Sequence, residues 1–213
     1  MLFEDRVEAG EVLSLSLKKF LNRPLLKNFV IVSILKGGYI VGEVVAKNLG
    51  VENLPLVVTK ITNPRQMEMA IGAHCFGLNY LDKDLIRLIK ITPFVLKRQV
   101  TLAKKKFSEY IKFIGINQSF YKKSIDKIAC LIDDGVATGA SATAGLKFLR
   151  RIGFKIVVLA SPIAPYDFKN PGFDSIICSH REFDFTSVSK YYNKFPQVDI
   201  TEIKSLIFKK LIN

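Results

Sequence analysis

The chain has 213 residues, 49% of them hydrophobic, and a formal net charge of +13 at pH 7. This length and apolar content fit one folded domain with a full core, which we assign to residues 1–213. The sequence excludes a membrane-spanning helix, because it has no apolar run of 18 residues, and it has no secretory signal, because acids stand where a basic start is needed. We therefore expect a cytoplasmic protein that does not insert into membranes.

The three cysteines, Cys75, Cys130 and Cys178, stand in apolar runs without a CxxC pair. Reduced thiols are expected, and a structural zinc site is not. The basic excess is concentrated before residue 128, in Lys97, Arg98, Lys104, Lys105, Lys106, Lys112, Lys122, Lys123 and Lys127. Such a segment is either a solvated face or a surface that attracts polyanions, namely nucleic acid or a phosphorylated substrate.

The first part of the chain predicts a βαβ unit. Residues 7–20 have a helical apolar pattern, which predicts a helix laid on a sheet. Residues 29–35 are almost wholly apolar, as in a buried parallel strand. A helix that Gly50 closes and a second strand at residues 54–61 complete a unit with a right-handed crossover.

The middle of the chain is less regular. We expect a turn at residues 62–65, one or two strands within 67–78, and helices at 85–91 and 95–113. Residues 115–127 are polar and are predicted to be the most mobile segment.

The last part returns to alternating strands and helices. A strand at residues 128–132 is followed by a helix, and further strands are predicted at 155–160 and 173–178, with a proline-rich loop between them. A helix at 201–212 ends the chain. This order predicts an α/β fold with a mainly parallel sheet of about five strands flanked by helices.

One stretch at residues 128–141, IACLIDDGVATGAS, carries a chemical pattern. Its strand ends in Asp133 and Asp134, and a loop of small residues with hydroxyls on Thr138 and Ser141 leads into the next helix. Backbone N–H groups of such a loop bind phosphate, and the adjacent carboxylates suit ribose hydroxyls and a divalent cation. Phosphoribosyl pyrophosphate has all of these groups. An ordinary strand–loop–helix with surface acids is the alternative.

A second loop, Lys36-Gly37-Gly38, follows the first strand and precedes a helix. Two glycines there suggest close backbone approach to an anion, although most such pairs only form turns. Ligands of parallel α/β sheets bind at the carboxyl ends of the strands, where both loops are expected to lie.

The segment CLIDDGVATGAS resembles the signature loop of type I phosphoribosyltransferases. The segments FEDRVEAG, TKITNP, EMAIGA, SPIAP and YYNKFPQVDITEI resemble, as a set, a family of stand-alone predicted phosphoribosyltransferases. The resemblance runs from about Phe3 to the last helix. It is lost over residues 78–127, and Lys36 stands where that family usually has arginine. It implies a type I phosphoribosyltransferase-like fold with a small hood and a mobile loop.

The resemblance also implies roles for individual residues. Asp133 and Asp134 would hold the ribose hydroxyls of phosphoribosyl pyrophosphate, directly or through Mg²⁺, and would be the metal ligands. Backbone N–H groups and hydroxyls would bind the 5′-phosphate at Ala137, Thr138, Gly139, Ala140 and Ser141. The pyrophosphate would be held by Lys36, Gly37 and Gly38, with Lys60 as a further candidate. Some enzymes of the superfamily have a cis peptide in this loop, and the expected bond here is Leu35–Lys36.

The implied reaction is transfer of ribose 5-phosphate to a nitrogenous acceptor, with release of pyrophosphate. Lys-Gly-Gly resembles the purine-salvage enzymes, which favours a nucleobase. Hypoxanthine-guanine enzymes, however, have an aspartate three residues after the second acid as proton acceptor, and Ala137 stands there. Adenine and orotate enzymes share the alanine. The acceptor stays open, and no catalytic base can be named.

Two other functions fit the sequence. A non-catalytic regulator would sense phosphoribosyl pyrophosphate and bind nucleic acid, a partner that is less favoured than a small molecule. A hydrolase of ribose phosphates would use water as acceptor. The oligomeric state is open between a monomer and a homodimer.

Several single residues have ordinary interpretations. Arg6, with Asp5 and Glu8, is expected in a surface or capping ion network. His74 and His180 have no obvious partners in the sequence and are interpreted as structural. Tyr166 and Phe168 follow a strand where members of the superfamily stack a base, although loop aromatics more often serve packing.

Overall fold

The structure is a computed structural model that describes residues 2–21 and 28–212. The strands are β1 (Phe29–Ile34), β2 (Asn53–Leu56), β3 (Thr59–Asn63), β4 (Gln66–Cys75), β5 (Leu78–Leu81), β6 (Ile128–Ile132), β7 (Val157–Pro165) and β8 (Ser175–Glu182). The α-helices are α1 (Arg6–Phe20), α2 (Gly37–Leu49), α3 (Lys83–Leu88), α4 (Pro93–Ile114), α5 (Ala140–Ile152) and α6 (Ile200–Ile212). Two 3₁₀ helices cover Gln118–Ser124 and Val188–Tyr191.

The main sheet has five strands in the order β2-β1-β6-β7-β8, and every neighbouring pair is parallel. Alternate residues of β1 face opposite layers, since Phe29 and Ile31 pack with α1 and α2, whereas Val30 and Val32 pack in the cluster that contains α5. Burial on both faces explains the continuous apolar runs. The predicted α/β fold with a five-stranded sheet is confirmed.

The central position of β1 and β6 decides where the candidate site lies. Their register pairs Ser33 with Ile132, so the residues that follow each strand leave the same edge of the sheet side by side. The predicted βαβ unit is confirmed, with Gly50 ending α2 at a φ of 67°.

A second, antiparallel sheet of β3, β4 and β5 forms what we call the hood, together with α3 and α4 (residues 59–114). Helix α4 covers this sheet through Ala103, which lies in one apolar cluster with Ile61 and Ile71. The prediction of a single strand over residues 54–61 is wrong. The chain leaves the main sheet after Leu56 and enters the hood at Thr59, and because Val57 and Val58 stay buried, the apolar pattern continues across the break.

Two further predictions differ from the structure. Residues 115–127 do not form a loose polar segment, because Tyr121 is fully buried and its hydroxyl donates to the Pro55 carbonyl at 2.7 Å. The segment SPIAP is not a loop, since β7 continues through it and pairs Pro165 with Glu182. Long-range packing buries part of the polar stretch, and the prolines are tolerated because β7 extends beyond its pairing with β6 and is paired there with β8 alone.

The other predicted helices and strands are present, whereas strand β5 was not predicted and the predicted turn at residues 62–65 begins within β3. Helix α1 begins at Arg6, where the Asp5 carboxylate caps it by accepting from the Val7 and Glu8 N–H groups. The cysteines are free thiols. Within the described residues, none of the helices combines the length and the apolar character that a bilayer span requires.

Candidate functional site

Two loops pack directly against each other at the carboxyl ends of β1 and β6. A Cβ atom on Gly37 would lie 1.9 Å from Oδ2 of Asp134, and one on Gly38 would lie 2.9 Å from Cα of Asp133. A side chain at Gly38 would meet backbone atoms, and one at Gly37 would displace the Asp134 and Arg6 side chains, so the close approach of the loops depends on both glycines. The Leu35–Lys36 peptide bond is cis, as predicted.

The two carboxylates are held differently. Oδ1 of Asp133 accepts the Asp134 N–H at 3.0 Å, and Oδ2 of Asp134 accepts Nε of Arg6 at 2.8 Å. Burial raises the pKa of Asp133 well above its ordinary value, the charge of Asp134 adds to this, and Lys60 opposes it. Positive charge placed beside the pair would relieve this unfavourable charge.

The two carboxylates have the chemistry that is needed to bind a divalent cation. Mg²⁺ prefers oxygen ligands and is commonly bound by one or two carboxylates together with substrate phosphates. The described residues contain no group of three or more histidine, cysteine or carboxylate side chains that could hold a metal. A cation at Asp133 and Asp134 would therefore take further ligands from a bound substrate.

The loop after the carboxylates has the form of an anion site. Gly139 has a left-handed φ of 73° and precedes α5, whose N-terminus has no side-chain cap. Ala140 donates its N–H to Oγ1 of Thr138 at a long 3.4 Å. Ala137 and Thr138 are exposed, whereas Ser141 is buried at the start of the helix. An uncapped helix start beside an exposed loop leaves N–H groups available to a phosphate.

The two predicted cations stand on different parts of the fold. Lys36 is half-buried, and its positive charge helps to lower the pKa of Asp199, after hydrogen bonds from Thr201. Lys60 is exposed on the hood strand β3 and acts electrostatically on Asp133. The structure thus brings both loops, the acid pair and a hood lysine to one edge of the main sheet.

The chain matches no protein family model. It is 29% identical to two proteins, one from Mycobacterium tuberculosis strain CDC 1551 / Oshkosh and one from strain H37Rv. The name of each protein gives phosphoribosyl transferase as an inferred activity. The alignment covers 97% of this chain and 46% of each of those proteins. The chain therefore spans about half the length of the curated relatives it matches.

Solved structures share the fold over nearly the whole chain. The crystal structure of TT1426 from Thermus thermophilus has a TM-score of 0.68 and 25% identity, covering 98% of this chain and 99% of that one. A hypothetical protein from Neisseria gonorrhoeae with bound ppGpp has a TM-score of 0.50 and 10% identity, covering 89% and 92%, and shows the fold alone.

The chain has a type I phosphoribosyltransferase-like fold. This follows from the parallel sheet with two loops at its central strand ends and from similarity over the whole chain to proteins of that name. The resemblance in the sequence is thereby confirmed, while the roles of individual residues in this phosphoribosyltransferase-like site remain predictions.

Arg6 is the site residue that sequence reasoning misplaced. It is not in a surface network, because only 8% of it is exposed and its guanidinium pairs with Asp134. Its Nη1 also donates to the Pro196 carbonyl at 2.8 Å. The only local signal was its position directly after the helix-capping Asp5, and that signal does not reveal a partner 128 residues away.

The aromatic residues after β7 take two different positions. The ring of Phe168 lies over the loop at residues 137–141, since a Cβ on Gly139 would be 2.5 Å from it. Tyr166 is 55% exposed and stacks on Phe183 with ring centroids 3.8 Å apart. Phe183 was not predicted as part of the site. This exposed pair offers a flat apolar surface at the ends of β7 and β8.

The histidines have partners that the sequence did not reveal. The Nδ1 atom of His74 lies 2.7 Å from Oδ1 of Asn79, and Nε2 of His180 lies 3.2 Å from Oε2 of Glu182. Burial lowers the pKa of His74, which agrees with a structural role in the hood.

Proposed function

We propose that this protein is a cytoplasmic phosphoribosyltransferase that uses phosphoribosyl pyrophosphate and Mg²⁺. It transfers ribose 5-phosphate to a nitrogenous acceptor and releases pyrophosphate. The observation that carries the proposal is the direct packing of Gly37 and Gly38 against Asp134 and Asp133. This packing brings the loops after β1 and β6 and the two carboxylates to one sheet edge, which supports binding of a donor that has phosphate at both ends and hydroxyls between them.

Each part of the donor has a counterpart in the site. The 5′-phosphate would bind at residues 137–141 around the start of α5, where the N-cap residue Gly139 offers no side-chain acceptor to the N–H groups of the first turn. The ribose hydroxyls would meet Asp133 and Asp134. The pyrophosphate would lie at residues 36–38, with Lys60 approaching from the hood.

In the reaction, a nitrogen of the acceptor forms a bond to C1′ as the bond from C1′ to the pyrophosphate oxygen breaks. The bonding electrons leave with pyrophosphate, and positive charge develops on the ribose ring. Lys36 and Lys60 would stabilise the departing anion, and the carboxylates would fix the ring by its hydroxyls. Mg²⁺, when bound at Asp133 and Asp134, would neutralise pyrophosphate charge.

The acceptor is proposed only as a class. The Tyr166–Phe183 stack suits a planar ring, which favours a nucleobase, and the Lys-Gly-Gly loop favours purine salvage among nucleobases. Ala137 is exposed and carries no proton acceptor, so the acceptor proton must leave to another group or to water.

The donor-binding part is tested by isothermal calorimetry with phosphoribosyl pyrophosphate and Mg²⁺. We expect the wild type to bind, and the double variant Asp133→Asn/Asp134→Asn to lose binding. Asp174→Asn is the matched control, because that aspartate pairs with Arg150 away from the loops. Absence of binding by the wild type, or unchanged binding by the double variant, would contradict the proposal.

The transferase part is tested by a screen of purine and pyrimidine bases with pyrophosphate release as the readout. Release that depends on one base identifies the acceptor. Ribose 5-phosphate formed without any base would instead indicate hydrolysis. Light scattering on the same samples would distinguish a monomer from a homodimer.

A second candidate is a non-catalytic regulator that senses the donor and binds nucleic acid. It is favoured by the exposed side of α4, where five cations lie within about one third of the helix circumference: Lys97, Arg98, Lys104, Lys105 and Lys112. Helix α4 contacts the strand of Lys60, since Thr59 Oγ1 donates to the Ala103 carbonyl at 2.9 Å. Nucleic-acid binding that weakens with salt and changes with the donor, without pyrophosphate release, would support it.

A further inference from the structure

The Arg6 side chain is fixed on three sides. Its Nε donates to Oδ2 of Asp134 at 2.8 Å and its Nη1 donates to the Pro196 carbonyl at 2.8 Å. Its guanidinium carbon lies 3.7 Å from the centre of the Phe195 ring. Two directed hydrogen bonds and an aromatic face leave this guanidinium little freedom to reorient.

The pair of Arg6 and Asp134 is withdrawn from water. The two side chains are 9% and 16% exposed. A buried ion pair gives up hydration and is weak support for stability, but it can fix a geometry. The first loop rests on the same pair, because a Cβ on Gly37 would lie 2.5 Å from Nε of Arg6.

The C-terminal segment 192–196 holds both members of the pair. Tyr192 donates its hydroxyl to the Asp134 carbonyl at 2.5 Å, and Phe195 and Pro196 contact Arg6. Tyr192 is itself only 2% exposed. Asp134 is therefore held at its backbone by Tyr192 and at its side chain by Arg6.

Of the four carboxylate oxygens of Asp133 and Asp134, one on each residue accepts a hydrogen bond from the protein. Oδ1 of Asp133 accepts the Asp134 N–H, and Oδ2 of Asp134 accepts Nε of Arg6. Each carboxylate keeps one oxygen that neither bond occupies. Two such acceptors on adjacent residues suit the two neighbouring hydroxyls of a ribose.

We propose that Arg6 is a positioning residue that orients Asp134 toward a ribose hydroxyl of the donor, with segment 192–196 as its support. This inference rests on the proposed function. In this role Arg6 acts through its bond to Asp134 and not by binding the substrate itself. Its loss should therefore weaken recognition of the ribose more than recognition of pyrophosphate.

The first experiment needs no donor. Thermal melts of Arg6→Gln, Asp134→Asn and the double variant form a double-mutant cycle. We expect strong non-additivity, with the double variant melting no lower than Arg6→Gln alone, because removing either partner leaves the other buried without its bond. The Arg150–Asp174 pair, whose side chains are 33% and 42% exposed, is the matched control and should show little coupling. Additive shifts at Arg6 and Asp134 would overturn the proposal.

The second experiment measures binding of the donor, ribose 5-phosphate and pyrophosphate by calorimetry, well below every melting temperature. We expect Arg6→Gln to weaken donor and ribose 5-phosphate binding roughly ten- to a hundredfold and pyrophosphate binding less. Arg6→Lys should recover part of the loss, since it restores one charge-assisted bond to Asp134 but not the second bond to Pro196. A merely structural role would lower the melting temperature and leave these affinities unchanged.

The two experiments separate the possible failures. If the wild type binds the donor and Arg6→Gln binds it equally well, the positioning role is overturned and the proposed function stands. If the wild type binds no donor, the proposed function fails together with the ribose role. A non-additive cycle would in that case still support the holding of Asp134 by Arg6.

Discussion

The loops after β1 and β6 and the hood meet at the same sheet edge but are built in opposite ways. In the loops the positions are set by contact, since a side chain at Gly38 would meet backbone and one at Gly37 would displace the Asp134 carboxylate. The hood presents exposed groups instead, among them Lys60 and a Phe94 that is 78% exposed. Contact fixes distances to fractions of an ångström, whereas charge acts over several ångströms and tolerates variation. The loops are thus suited to one constant ligand, and the hood to steering and adaptation.

The largest effect should come from breaking the contact at the loops. In Gly37→Ala the nearest atoms to the new methyl group belong to the Asp134 and Arg6 side chains and not to the backbone, so the methyl group must displace that pair. We expect the fold to survive and donor affinity to fall by at least about a hundredfold, because the carboxylate is displaced. Calorimetry with phosphoribosyl pyrophosphate and a thermal melt measure the two effects.

Two other glycines serve as controls for that variant. Gly38→Ala should lower the melting temperature as well, because its methyl group meets the Asp133 Cα and the Ile132 carbonyl of the backbone. Gly50→Asn should change neither property, since no atom lies within 4 Å of a Cβ there and asparagine tolerates a φ of 67°. Full donor affinity in Gly37→Ala would mean that close packing does not define the site.

A smaller effect should come from the hood. Lys60→Met removes the cation that acts on Asp133. We expect donor affinity to fall about tenfold at low salt and by less at high salt, because an exposed charge is screened. Lys97→Met, another exposed hood lysine, should leave the affinity within about a factor of two. Equal losses in both variants would indicate steering by overall charge and not a contact of Lys60.

The smallest effect concerns stability without ligand. The pKa of Asp133 is raised in the folded protein, so folding favours the protonated carboxyl group. The protein should therefore lose stability as the pH rises from about 4, the pKa of the unfolded state, through the pKa of the folded state. Asp133→Asn should therefore melt a few degrees above the wild type at pH 8, because each kcal/mol of unfolding free energy shifts the melting temperature by about 2–4 °C in a chain of this size. Below about pH 4 the two proteins should melt at the same temperature. Melting curves across this pH range test the sign. A wild type more stable than the variant at pH 8 would contradict it.

The sequence was most informative where local patterns determine structure. Continuous apolar runs identified the strands of the parallel sheet, and the step from strand to small residues to helix identified both loops. The cis bond at Leu35–Lys36 was predicted from the resemblance of the loop alone. These features are encoded within a few consecutive residues.

The sequence was least informative where distant segments meet. Residues 54–61 look like one strand, but Leu56 and Thr59 belong to different sheets, because alternation and burial do not specify which neighbour a strand will pair with. Tyr121 lies in a polar stretch, yet its hydroxyl finds the Pro55 carbonyl across 66 residues. Arg6 was misplaced for the same reason, since nothing near it in sequence indicates Asp134 or Pro196.

The contact between Arg6 and Pro196 also sets an order of events during synthesis. The two residues are 190 positions apart, and a ribosome adding about 5–20 residues per second needs roughly 10–40 s to cover that distance. During this interval helix α1 can form while its first residue has no support from segment 192–196. The acid pair would therefore become fully ordered only when β8 has been made and segment 192–196 has docked, which places this edge of the sheet among the last parts of the fold to become ordered.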